Sequence, residues 1–124
     1  MGEKLLIAFQ VHNKKPEEIA KTVCDVAHAI ETSNRLYYPV AVGVNYGQVI
    51  SGFLGVGEKR DFTVIGDPVN VAARIATLAE NQPSERRMIS EPVLKLVGDS
   101  VKAEEYGKVS LKGKSELLNV YRIV

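Results

Sequence analysis

Apolar and polar residues recur along this chain in patterns that predict an alternation of strands and helices. Residues 5–9 form a short apolar run that is typical of a buried strand. A helix is predicted from Pro16 to about residue 33, because proline followed by two acidic residues suits a first turn. Its apolar positions then repeat at helical spacing, at Ile19, Val23, Val26 and Ile30.

The middle and end of the chain continue with shorter elements. Residues 40–44 and 48–54 have the pattern of two strands joined as a hairpin by a turn at Asn45-Tyr46-Gly47. A strand at residues 62–65 precedes a helix from Asp67 to about Glu80. A brief strand at 88–89, a short helix capped by Ser90 and two closing strands complete the order. This order predicts an α+β fold, a sheet with helices packed on one face, in a single domain of residues 1–124.

The helix after residue 66 has the strongest chemical signal. Asp67 is predicted at its N-cap and Pro68 at its first helical position. Asn70 and Arg74 are four residues apart and therefore share one helix face. The positive end of a helix and the forked donors of arginine both suit an anion. An ordinary capped helix with solvated Asn and Arg side chains fits the same residues, and its core face would be Val71, Ile75 and Leu78.

Composition narrows the class of protein. The formal net charge of +1 gives no signal for binding nucleic acid. The one cysteine, Cys24, cannot form an intrachain disulfide, which fits a reducing compartment. Apolar runs are far shorter than the ~20 residues of a membrane span. We therefore expect a soluble cytoplasmic domain without membrane contact.

Three segments in order resemble one known family: VAVGVNYGQVISGFLG from residue 40, TVIGDPVNVAAR from residue 63, and YGKVSLKGKSELLNVYRIV from residue 106. Together they are similar to the class III adenylate/guanylate cyclase catalytic domain. The resemblance implies a ferredoxin-like antiparallel palm, with the family's first strand and helices lacking a counterpart here. It also implies conversion of a purine nucleoside triphosphate to a 3′,5′-cyclic nucleotide plus pyrophosphate.

The resemblance assigns roles to four residues of this sequence. Asn70 would orient the ribose, and Arg74 would stabilise charge that develops on the α-phosphate. Lys112 would hold the outer phosphates, and Thr63 would border the purine base. The partner position for the base has no counterpart here, so ATP and GTP both remain candidates.

The metal site expected for the family is incomplete in this sequence. Two Mg²⁺ or Mn²⁺ ions are expected for such a domain, held by two carboxylates. Glu3 occupies the position of the second, but its extra methylene shifts the oxygens in a site that demands near-octahedral geometry. A flexible terminal acid is the other interpretation of Glu3. The stretch F-x-D-[IM]-x-G-F that supplies the first carboxylate has no match in the sequence.

Family sites form across a head-to-tail dimer, so the resemblance implies a homodimer, or a heterodimer with another cyclase domain. This sequence keeps the half-site with Asn70 and Arg74 and lacks most of the metal half, so we expect it to be inactive alone. Two other functions stay open. One is a non-catalytic dimerisation or nucleotide-sensing module on a degenerate cyclase fold. The other is an unrelated ferredoxin-like binding domain.

Overall fold

A computed structural model describes residues 4–33, 39–55, 57–58, 61–110 and 116–124 of the chain. Three α-helices are present in these ranges, α1 (Pro16–Glu31), α2 (Asp67–Glu80) and α3 (Glu91–Val97), with a 3₁₀ turn at Gly98–Ser100. The strands are β1 (Val42–Val44), β2 (Ile50–Leu54), β3 (Asp61–Ile65), β4 (Arg87–Ser90), β5 (Ala103–Ser110) and β6 (Leu117–Ile123). The predicted α+β class is confirmed.

Four strands form the main sheet in the order β1-β4-β6-β5, and β2 and β3 form a second, two-stranded sheet. β1 runs parallel to β4, whereas β6 is antiparallel to both of its neighbours. The predicted hairpin between β1 and β2 is therefore wrong, and the hairpin is β2–β3, with Ile50 opposite Ile65. The parallel partner of β1 lies far along the sequence, where local turn signals give no information about pairing.

Helices cover both faces of the main sheet, which differs from the expectation of helices on one face. Successive strand residues point to opposite faces, and the core is divided accordingly. Ile89 and Ile123 pack with α1 and α3 in one cluster. Met88 and Val120 pack with α2 in the other. All four residues of β4 are buried, because this strand lies between the two layers.

The helix α1 begins at Pro16 as predicted, and it ends at Glu31, slightly before the predicted end. Its fully buried face carries the small residues Ala20, Cys24 and Ala27, while the predicted apolar positions are only partly buried. Small side chains allow α1 to approach its neighbours closely, and Val23 packs against the same cluster while remaining partly buried. Ser90 precedes α3 as predicted but is fully buried and makes no capping hydrogen bond.

The apolar run at residues 5–9 is not a buried strand, so this prediction is wrong. Residues 4–10 contain no regular secondary structure, and Leu5 is 85% exposed while Phe9 is 39% exposed. A strand needs a neighbour for its N–H and C=O groups, and none of the described strands pairs with this run. Apolar composition alone cannot supply that neighbour.

A polar cluster connects α1 to β4. Arg87 is 6% exposed, and its guanidinium donates a hydrogen bond to Nδ1 of His28 and lies 3.2 Å from Oε1 of Glu31. The Cys24 thiol is buried on the same helix, and this burial raises the pKa of Cys24 to about 11, with a further contribution from Asp25.

Within the described ranges, no helix is long and apolar enough to span a membrane.

Candidate functional site

A single glycine turns the chain from β3 into α2. Gly66 has φ 152° and ψ 164°, a combination that is essentially confined to glycine. It is the N-cap residue, and Asp67 is the first residue of the helix, so the predicted N-cap at Asp67 is wrong by one position. No side-chain capping bond forms at this end. Asp67 instead places its charge in the first turn, where the helix dipole favours an anion.

The two faces of α2 are divided as the spacing predicts. Val71 and Ile75 are buried against the sheet, and Leu78 is partly buried beside them. Asn70 is exposed and Arg74 is half-buried on the other face. The amphipathic pattern therefore leaves the Asn70 amide exposed and the Arg74 guanidinium at the margin of the core, where it reaches β5.

The Arg74 guanidinium donates a hydrogen bond through NH1 to the main-chain carbonyl oxygen of Ser110. Ser110 is the last residue of β5 and lies two positions before Lys112. Lys112 lies outside the described residues, as does Glu3. The contact nevertheless brings Arg74 to the chain segment that leads directly into the predicted polyphosphate lysine.

An open pocket of about 280 Å³ lies beside Arg74, between the C-terminal half of α2 and β5. Its lining residues are Arg74, Thr77, Leu78, Lys108 and Val109. Two of the five are cations that come from different elements. The Arg74–Ser110 contact therefore has a second cation, Lys108, beside the same pocket.

Thr63 lies in β3 opposite Gly52 and is partly buried. The strand that carries it leads through Gly66 into α2. Thr63, Asn70 and Arg74 therefore belong to one continuous strand–turn–helix unit.

Sequence reasoning missed one polar contact at this unit. The Asn45 side-chain amide donates a 3.1 Å hydrogen bond to the carbonyl oxygen of Pro68. Asn45 lies in the loop that follows β1 and is partly buried. The available signal was the alternation of Gly43, Asn45 and Gly47, which places all three on one side of an extended chain.

The described residues do not assemble a site for the metal ions expected of this family. In the ranges that the structure covers, no group of three or more His, Cys, Asp or Glu side chains is placed to hold a metal ion. Asp67 places one carboxylate in the first turn of the helix that carries Asn70. One carboxylate does not provide the ligand set that Mg²⁺ requires.

Comparisons with known proteins agree on one family. The sequence model of the Adenylate and Guanylate cyclase catalytic domain matches residues 1–123. An adenylate cyclase of Dictyostelium discoideum, described as terminal-differentiation specific, is 33% identical over 88 residues. That match covers 67% of this chain and 4% of the relative's length.

Solved structures of cyclases are similar in fold. The adenylyl cyclase CyaB from P. aeruginosa matches with a TM-score of 0.56 at 25% identity, over 87% of this chain and 53% of that one. A dimeric guanylyl cyclase domain from the fungus Blastocladiella emersonii matches with a TM-score of 0.69 at 17% identity, over 92% of this chain and 62% of that one. The chain thus spans little more than half the length of these solved domains.

Proposed function

We propose that this chain, which belongs to the adenylate and guanylate cyclase catalytic domain family, supplies the transition-state half of a shared cyclase active site. Family membership removes the unrelated ferredoxin-like binding domain from the candidate functions. The observation that carries the proposal is the position of Arg74, half-buried at the margin of α2 and in contact with the end of β5. Asn70 accompanies it one helical turn earlier.

The proposed substrate is a purine nucleoside triphosphate, ATP or GTP. The ribose 3′-oxygen would bond to the α-phosphorus while the bond from that phosphorus to the bridging oxygen breaks. Pyrophosphate leaves with the bridging oxygen, and the hydroxyl proton is released. Negative charge grows on the α-phosphate oxygens during this step, so a fixed cation near them lowers the barrier.

Arg74 is suited to that role because its present acceptor is easily replaced. Its guanidinium donates to a neutral carbonyl oxygen of Ser110. A phosphate oxygen carries charge and forms a stronger, bidentate pair with arginine. Asn70 would orient the ribose from the same helix face, and Lys112 would hold the outer phosphates. Thr63 would border the base from β3.

The metal half of the site is assigned to a partner domain. The described residues hold no cluster of metal ligands, and Glu3 remains the only carboxylate that the resemblance assigns to the metals. The Mg²⁺ or Mn²⁺ expected for the family would therefore be held by carboxylates of a second cyclase domain, in a homodimer or heterodimer. We expect a polypeptide of these 124 residues alone to form no cyclic nucleotide from ATP or GTP.

A non-catalytic role is the second candidate, because the described residues hold no metal cluster. In that role the chain would dimerise or bind nucleotide without turnover. The two candidate functions predict different results when a cyclase domain that supplies the metal half is added. A half-site restores turnover when the other half is supplied, whereas a sensing module does not.

The deciding experiment is complementation. The chain is mixed with an adenylyl or guanylyl cyclase domain that keeps its carboxylates but carries alanine at its own equivalent of Arg74. Cyclic nucleotide formation is measured with Mg²⁺ and with Mn²⁺, and sedimentation of the same samples measures mixed-dimer formation. We expect activity to rise by about 10²–10³, the usual effect of one charge-stabilising donor.

Variants of the chain identify the contributing residue. Arg74→Ala should abolish the gain, whereas Glu3→Ala should leave it intact. Arg86→Ala is the matched control, because Arg86 also donates to a main-chain carbonyl, that of Gln82, beyond the opposite end of α2. Mixed dimers that form but make no product would reject the half-site in favour of the non-catalytic role. A requirement for Glu3 without one for Arg74 would reverse the assignment of the half-sites.

A further inference from the structure

Three alternate residues lie close against α2: Gly43 in β1, and Asn45 and Gly47 in the loop that follows β1. A Cβ atom at Gly43 would lie 2.9 Å from Cα of Ala76, and one at Gly47 would lie 2.6 Å from Cγ of Pro68. Between these contacts, Asn45 Nδ2 donates to the Pro68 carbonyl oxygen over 3.1 Å. The two glycines set how closely the helix approaches. The asparagine is the member of the set that forms a directional bond.

The Asn45 bond acts on the first turn of the helix. Pro68 is the second residue of α2, and its carbonyl oxygen is the acceptor for the amide N–H of residue 72, one turn later in the helix. A donor from outside the helix resists both sliding and rotation of that turn about the helix axis. Asn70 and Arg74 follow Pro68 in the same helix, so the direction of their side chains depends on the position of this first turn.

We infer that Asn45 is a positioning residue for the cyclase reaction, which acts by fixing the first turn of α2 and thereby the placement of Asn70 and Arg74. This inference rests on the proposed function of those two residues. Its physical basis is that a misplacement of about 1 Å at a reacting group can reduce a rate by about 10². Asn45 itself need not touch the nucleotide.

Asn45→Ala tests the inference without adding charge near the candidate phosphate site. The matched control is Asn81→Ala, because Asn81 Nδ2 also donates to a main-chain carbonyl of α2, that of Thr77 at 3.2 Å, beyond the other end of the helix. In the complementation mixture, at a temperature where circular dichroism shows all variants folded, we expect Asn45→Ala to lower kcat at least about tenfold with KM changed little. Asn81→Ala should leave both constants unchanged.

A double variant separates positioning from general weakening of the fold. If Asn45 fixes the orientation of the Arg74 guanidinium, Asn45→Ala should reduce kcat less in an Arg74→Lys background than in the wild type. If the two substitutions damage the structure independently, their fold reductions in kcat should multiply. Equal kcat for Asn45→Ala and wild type, or fully multiplicative losses, would overturn the inference.

Amide hydrogen exchange gives a readout that needs no catalysis. Asn45→Ala should speed exchange of the amides of residues 69–72 roughly fivefold, the effect of losing one typical hydrogen bond. Amides in the last turn of α2 should be unchanged, and Asn81→Ala should give the opposite pattern. If the wild-type mixture forms no product, the proposed function fails, and exchange still decides whether Asn45 holds the first turn. Unchanged exchange at residues 69–72 overturns the inference in either case.

Discussion

Replacement of Gly43 by alanine should push α2 away from β1. The added Cβ would lie 2.6 Å from the carbonyl oxygen of Ala72 and 2.9 Å from Cα of Ala76, with the Ala76 amide nitrogen closer still. All three are main-chain atoms of one helix, so no side chain can rotate to relieve the clash. Overpacking of this kind costs about 1–3 kcal/mol, and the rigid neighbours favour the upper end. The smaller entropy of unfolded alanine returns about 0.5–1 kcal/mol, so we expect a net loss of roughly 2 kcal/mol.

Thermal and urea unfolding, followed by circular dichroism at one fixed protein concentration, measures this loss. For a chain of this size, roughly 2 kcal/mol corresponds to a Tm lower by about 8 °C. Gly52→Ala is the matched control, because a Cβ at Gly52 in β2 meets no atom within 4 Å. It should leave Tm unchanged or raise it slightly. Equal Tm values for the Gly43 and Gly52 variants would refute the close approach of β1 and α2.

Two further predictions concern the contacts of α1. Arg87→Ala leaves the Glu31 carboxylate buried without its partner and should destabilise the fold by roughly 3 kcal/mol, whereas Arg87→Met with Glu31→Leu should restore most of that loss in urea unfolding. Equal stability of the single and double variants would contradict this. Because the pKa of Cys24 is raised from 9.0 to about 11, folding favours the protonated thiol. Its contribution is complete below pH 9 and is lost as the pH rises toward 11. The urea midpoint of the wild type should therefore fall relative to that of Cys24→Ala over this range. A difference between the two midpoints that stays constant with pH would contradict the raised pKa of Cys24.

The sequence predicted the unit around α2 well because its signals are local. Proline in the first turn, helical spacing of Val71 and Ile75, and the pairing of Asn70 with Arg74 on one face all follow from neighbours within two turns. The misplaced N-cap is a local error of one residue. Gly66 adopts a conformation that only glycine favours, and the acid after it was the more obvious candidate for a cap.

The remaining errors concern contacts between distant parts of the chain. The apolar run at residues 5–9 has the composition of a strand, but composition does not say whether a neighbouring strand is available. The hairpin at Asn45 failed because β1 pairs with β4, a parallel partner beyond an entire hairpin and helix. The bond from Asn45 to Pro68 and the contact of Arg74 with Ser110 likewise depend on how separate elements meet. The alternation of Gly43, Asn45 and Gly47 indicates that these residues share one side of the chain, but it does not identify the element that they contact.

Strand β4 should be one of the last elements to reach its native place when the chain folds. Its parallel neighbour β1 precedes it by a hairpin and a helix, and its antiparallel neighbour β6 follows it by a helix and another strand. Pairing β4 with β1 and with β6 closes two long loops, and each closure costs chain entropy before the four buried residues of β4 gain their contacts. Such non-local pairing slows folding. Until β4 pairs with its neighbours, neither layer of the core is complete, and the edge of β1 that β4 covers can pair with other chains. Refolding yield should therefore fall as protein concentration rises, even under conditions where the finished fold is stable.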